Sequence, residues 1–154
     1  MILCATRWER GASETDPRAD SFLRVLALLC GEWLEQELKL FLPSATSPSL
    51  QRAMDYALAD LASATQAGAI HHAAVSERNF RRLFTRETGL TWQAWLGQAR
   101  IQMAMGQLIQ GRRVTDVAAD VGYASLSAFA KAFAQTAGEG PARFRKRHLA
   151  AQSR

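Results

Sequence analysis

Cysteine is scarce in this chain. Cys4 and Cys30 are its only two, and their wide separation gives neither zinc-site spacing nor a disulfide framework. Idle or buried thiols in a reducing compartment are expected. No apolar run reaches the roughly 18 residues that a membrane span needs. The most apolar window, Phe22 to Cys30, is interrupted by Arg24. The first ten residues, MILCATRWER, show no basic start before an apolar stretch, so no secretory signal is expected and a cytoplasmic location follows. Histidine is equally sparse. His71 and His72 are adjacent and face different sides of a helix, whereas helical metal pairs sit four residues apart. His148 has no partner near it in sequence. No Ser-His-Asp, Cys-His or paired-carboxylate arrangement with meaningful spacing occurs. The expectation is therefore no enzyme, no cofactor and no metal.

What the chain does have is apolar mass and an uneven charge. Apolar residues make up 48% of its 154 positions, enough for a packed core. From Met1 to Ser63 there are six Lys/Arg against nine Asp/Glu, a net of −3. From Ala64 to Arg154 there are thirteen against five, a net of +8. A polyanionic partner is thus expected for the second part only. No Lys-rich amphipathic helix with a continuous apolar face points to a membrane surface, so no membrane partner is expected.

The most informative stretch runs from Val114 to Arg145. A short apolar-periodic run (Val114, Val117, Ala118, Val121) stops at Gly122. A second helix then carries Phe129 and Phe133 on one side and stops at Gly138. A short helix, a tight turn and a second helix make the pattern of a DNA-reading helix-turn-helix. Ala118 lies where two crossing helices must approach closely, and Gly122 supplies the positive φ that ends the first helix. The pattern recurs upstream. Ala69-Ile70, Ala74-Val75, Ser76, Phe80 and Phe84 mirror Val117-Ala118, Gly122-Tyr123, Ser125, Phe129 and Phe133. Ala124 is one extra turn residue in the second copy. Two helix-turn-helix units are therefore expected.

Val117-Ala118, Gly122-Tyr123, Ser125, Ser127-Ala128-Phe129, Phe133, Gly138, Pro141 and Phe144-Arg145 together resemble the signature of the AraC/XylS family of bacterial transcription regulators. The likeness reaches back to about Leu50. It implies an all-α, homeodomain-like fold in which two helix-turn-helix units are joined by a long helix, with an N-terminal helix added here. It also implies double-stranded DNA as partner and contact with RNA polymerase. The family's effector-binding sensor is expected to be absent, because the forty-odd residues before the linker are too few to build it. The first unit departs from the signature in two places. Ala69-Ile70 reverses the large–small order of Val117-Ala118, and Ala74 stands where the turn glycine belongs, which costs about 1 kcal/mol or more.

Two domains are expected, residues 1–49 and 50–150. In the first, Asp20 or Ser21 caps a helix running to about Leu42, with Phe22, Val25, Leu26, Leu29, Trp33, Leu34, Leu38, Phe41 and Leu42 forming a wide apolar face. Phe22, Leu26, Leu29 and Trp33 follow heptad spacing, so a homodimer through residues 20–42 is one way to bury that face. Packing on a helix at Leu50–Leu61 is the other. Leu42-Pro43 and SATSPS read as a linker. Thr91 to Gln110 forms the long joining helix, capped by Thr91 and stopped by Gly111, with Trp95, Leu96, Ala99, Met103, Ala104, Leu108 and Ile109 packed.

The first reading helix carries Arg78, Asn79, Arg81, Arg82 and Arg86 outward. By position in the resembled motif Arg78 and Arg81 read bases, since guanidinium matches guanine O6 and N7. Arg82 and Arg86 grip phosphate. The second presents Leu126, Ser127, Ala130 and Lys131. Only Ser127 and Lys131 offer polar contacts, so this helix either touches thymine methyls or simply holds position in the groove. Two other readings remain open. One is a non-specific architectural DNA binder. The other is a protein-interaction module acting through the N-terminal helix.

Overall fold

The computed structural model describes residues 16, 17, 19–25, 27, 28 and 41–152. All regular elements among them are helices, and the chain divides into units Met1–Phe41 and Leu42–Arg154. In the first unit, residues 17, 19–25, 27 and 28 are helical. Asp20 and Ser21 do not cap this helix. The Asp20 amide already donates to Asp16 O at 3.0 Å, and Ser21 Oγ donates back to Pro17 O at 2.8 Å, as residues inside a helix do. Pro17 has begun the helix earlier, where its missing N–H costs nothing. Leu26, Leu29 and Trp33, three of the four heptad positions, lie outside the described residues.

The second unit runs α1 (Pro48–Ala59), α2 (Gln66–Ala73), α3 (Glu77–Thr88), α4 (Trp92–Ile109), α5 (Val114–Asp120), α6 (Leu126–Ala137) and α7 (Pro141–Gln152). The internal repeat is real in three dimensions. Helices α3 and α6 have the same length, and each starts at a serine, Ser76 or Ser125, whose hydroxyl accepts from an amide three residues on. Each ends at a left-handed glycine, Gly89 or Gly138. Phe80 and Phe84 in one copy, and Phe129 and Phe133 in the other, are fully buried.

The two copies have separate cores. Leu50, Ala53, Met54 and Ala57 of α1 join Ala69, Phe80, Phe84, Trp92, Trp95, Leu96 and Ala99 in the first. Ile101, Ala104, Met105 and Leu108 join Val117, Val121, Phe129, Phe133 and Phe144 in the second. Helix α4 serves both. At about 100° per residue, Trp92, Trp95, Leu96 and Ala99 share one face, and Ile101, Ala104, Met105 and Leu108 share the opposite one. This corrects one expectation. Met103 continues the stripe of Leu96 and Ala99, but the first core has ended there, and the side chain is 46% exposed. Ile101 and Met105 take the buried places instead.

The turn of the first unit holds Ala74 at φ 54°, the left-handed conformation that Gly122 takes at φ 83°. Neighbours compensate for the strain. Arg52 of α1 donates to His72 O (3.2 Å) and Ala73 O (3.4 Å), covering the carbonyls at the end of α2. The exposed His72 ring stacks on Tyr56, centroids 4.3 Å apart. The second unit uses glycine at this turn. Ala74→Gly is therefore expected to stabilise the fold by about 0.5–1 kcal/mol, the relief of a left-handed Cβ less the added freedom of the unfolded chain. Chemical denaturation checks this, and an unchanged or lower midpoint contradicts it.

Candidate nucleic-acid interface

The reading helices are placed by caps and by contacts remote in sequence. Helix α3 is tied to the start of α1 through Glu87, whose Oε2 accepts from the amides of Ser47 (2.9 Å) and Thr46 (3.0 Å) and from Thr46 Oγ1 (3.1 Å). Ser47 is the N-cap of α1 but makes no side-chain cap bond, so a carboxylate from another helix satisfies the orphan amides. Trp95 Nε1 donates to Pro43 O at 2.8 Å, and Ala45 is buried in the first core. Residues 43–47, part of the stretch read as a linker, thus lie against the first helix-turn-helix.

The Ser47 amide, chiefly, lowers the Glu87 pKa below its ordinary 4.5. A group with a depressed folded pKa contributes stability above its unfolded value and loses it as pH falls through the folded value. Glu87→Gln should therefore melt below the wild type at neutral pH and converge with it below the ordinary glutamate range. Melting temperatures of both proteins across that window check this; a constant gap down to the most acidic pH contradicts it.

On the outer face of α3, Arg78, Arg81, Arg82 and Arg86 are exposed and Asn79 is partly buried. With Glu77 and Thr85 the arginines line one shallow open groove. Thr85 lines this groove and was passed over by motif reasoning. It lies on the same i, i+3, i+4, i+7 stripe as Arg78, Arg81 and Arg82, so extending the stripe would have found it. Arg81 ion-pairs with Glu77 one turn earlier, both side chains exposed, with the acid on the favourable N-terminal side. Arg82 donates to Asn79 Oδ1 at 3.1 Å, and Arg86 lies 3.8 Å from Glu87. An exposed pair such as Arg81–Glu77 is worth about 0–1 kcal/mol, so it orients the guanidinium group without withholding it from a polyanion. Arg78 and Lys131 carry no ion pair among the described residues.

Helix α6 presents Leu126 (47% exposed), Ser127 and Lys131 outward, with Ala130 partly buried. Ser127 Oγ is 3.3 Å from Ser125 Oγ. Other basic groups are partly committed. Arg112 pairs with Asp120 at 2.6 Å, and Arg143 and Arg147 pair with Glu139 at 3.6 and 2.5 Å. Arg145 donates twice to Gly111 O (3.1 and 2.8 Å), fastening α7 to the end of α4. His71 and His72 are exposed. No helix among the described residues is long and apolar enough to cross a membrane.

This architecture matches known proteins. Over 71 residues the chain is 41% identical to the HTH-type transcriptional regulator NimR of Escherichia coli (strain K12), covering 46% of this chain and 26% of that protein. Over 95 residues it is 36% identical to the transcriptional activator NphR of Rhodococcus sp, covering 61% and 26% respectively. The chain thus spans about a quarter of the length of the curated relatives it matches. Among solved structures it superposes on the DNA-binding domain of AdpA, a global transcriptional factor crystallised with a target DNA, with a TM-score of 0.65 and 27% identity over 70% of this chain and 99% of that one. Residues 70–147, half of the chain, match the family described as a helix-turn-helix domain. The chain belongs to the AraC-type helix-turn-helix family.

Proposed function

We propose that this chain binds double-stranded DNA sequence-specifically and regulates transcription, with α3 and α6 entering successive major grooves of an asymmetric site. The observation that carries this is the arginine face of α3. Four exposed guanidinium groups stand on a serine-capped, glycine-terminated helix in the reading position of a helix-turn-helix. The AdpA domain, similar in fold and sequence, was crystallised with its target DNA, which supports the reading. The asymmetry follows from chemistry: α3 offers Arg78 and Arg81, and α6 offers Leu126, Ser127, Ala130 and Lys131. The Leu42–Arg154 unit is the DNA-binding part in this reading. Contact with RNA polymerase belongs to the same reading, supported by the likeness to a transcriptional activator. Footprinting on genomic fragments tests it: a protected window of fixed sequence supports a regulator, and uniform protection supports a non-specific architectural binder.

Self-association is the second element of the proposal. The heptad spacing of Phe22, Leu26, Leu29 and Trp33 fits a seam between two copies. The double substitution Leu26→Glu, Leu29→Glu should halve the mass in solution and leave a folded monomer. A wild-type chain that is already monomeric contradicts the seam.

A further inference from the structure

The two helix-turn-helix units bury separate cores on opposite faces of α4, and the buried stripe changes face between Ala99 and Ile101. Among the described residues the two buried clusters are separate at this point. Arg100 sits at that point. It leaves α4 sideways and donates from Nε to Leu61 O at 3.0 Å and from Nη2 to Ala62 O at 3.5 Å, reaching the α1–α2 turn of the first unit. That turn is itself fixed: Asp60 accepts from the Ala62 and Ser63 amides (3.1 and 3.3 Å) and from Ser63 Oγ (2.6 Å). The other side of the junction is the turn of the second unit. A Cβ at Gly122 would lie 2.8 Å from both Ala62 Cα and Ala62 O, and 3.0 Å from Arg100 Nη2. Glycine at 122 is thus required by close approach as well as by its φ. Tyr123, the next residue, is half-buried and within electrostatic reach of Arg100.

We propose that Arg100 is a positioning residue: its grip on Leu61 and Ala62, closed by Gly122, sets the distance and phase between the two reading helices and thereby the half-site spacing the protein accepts. This rests on the DNA-binding reading above. Two linked readers have their highest effective concentration at the one spacing their linkage presents, and a looser linkage spreads it over several. Adding one base pair moves the second half-site by about 3.4 Å and turns it by about 35°. The chain itself connects the two units through α4, and Gly97 lies in α4 just before the face change with no side chain to brace it.

The test uses the full chain with two readouts. First, wild type, Arg100→Ala and Arg100→Lys are titrated with the selected site and with versions carrying one base pair more or fewer between the halves. Wild type should lose at least about tenfold on either change, and Arg100→Ala about threefold or less, with weaker binding at the native spacing. Arg100→Lys, lacking the fork, should fall between them. Second, spin labels on Thr85→Cys and Gln135→Cys, with Cys4 and Cys30 replaced by serine, report the distance between α3 and α6 without DNA. One narrow distribution is expected with Arg100 present and a broad one with Arg100→Ala, circular dichroism showing that helicity is kept. A narrow, unchanged distribution in folded Arg100→Ala, or equal weakening at every spacing, overturns the proposal. If the wild type selects no DNA sequence, the regulator reading fails, while the label distances still decide whether Arg100 holds the two units.

Discussion

Arg81→Ala is expected to relax base preference in one half of the binding site while leaving the other half unchanged. Arg81 stands on the exposed centre of α3, ion-paired with Glu77 of its own helix. Releasing that exposed pair costs little, and the freed fork can make a bidentate contact worth about 1–3 kcal/mol of discrimination, roughly 5- to 150-fold between bases. Helix α6 has no comparable group. Lys131 is an exposed point charge, and Leu126 offers an apolar tip. Lys131→Ala should therefore weaken binding to all sequences alike and lower the salt slope by about one. The better turn belongs to the weaker reader: Gly122 sits in the second unit and the strained Ala74 in the first. The expected division of labour has the second unit dock and the first select. Both variants would be run against a library mutated at every position of the selected site. If Arg81→Ala weakens every sequence equally, or if the strongest preferences map to the half touched by Leu126 and Ser127, the roles are reversed.

DNA affinity should fall steeply with salt. The net charge after Ala64 is +8, yet several of those cations are committed within the fold. Arg112 serves Asp120, Arg143 and Arg147 serve Glu139, and Arg145 serves the end of α4. The arginines of α3 and Lys131 remain turned outward. If about five phosphates are neutralised, log K falls against log salt with a slope of about −4.5, so affinity drops about 500-fold between 50 and 200 mM. Fluorescence anisotropy at several salt concentrations measures the slope. A response flatter than about −2 would remove the electrostatic basis of the interface.

Local signals were readable from the sequence because they act within a turn or two. Thr91 accepts a cap bond from the amide three positions on, and Gly111 and Gly122 take the left-handed conformations their positions called for. The paired phenylalanines of α3 and α6 are buried as their spacing indicated. Contacts that set the geometry of the site were not readable, since their partners lie far along the chain. Glu87 reaches Thr46 and Ser47, Arg52 reaches the end of α2, and Arg100 reaches Leu61 and Ala62. Met103 shows the other limit. Periodicity reports that a face is apolar but not where its partner stops, and on α4 the partner stops before Met103.

The most direct measurement is binding-site selection from random double-stranded DNA with the purified chain. The expected product is one enriched site of two dissimilar halves, about one helical turn apart on one face of the duplex, with the stronger preferences in the half that Arg81→Ala relaxes. No enrichment over the starting pool, or a symmetric palindrome within the span of a single chain, would contradict two unlike reading helices acting together.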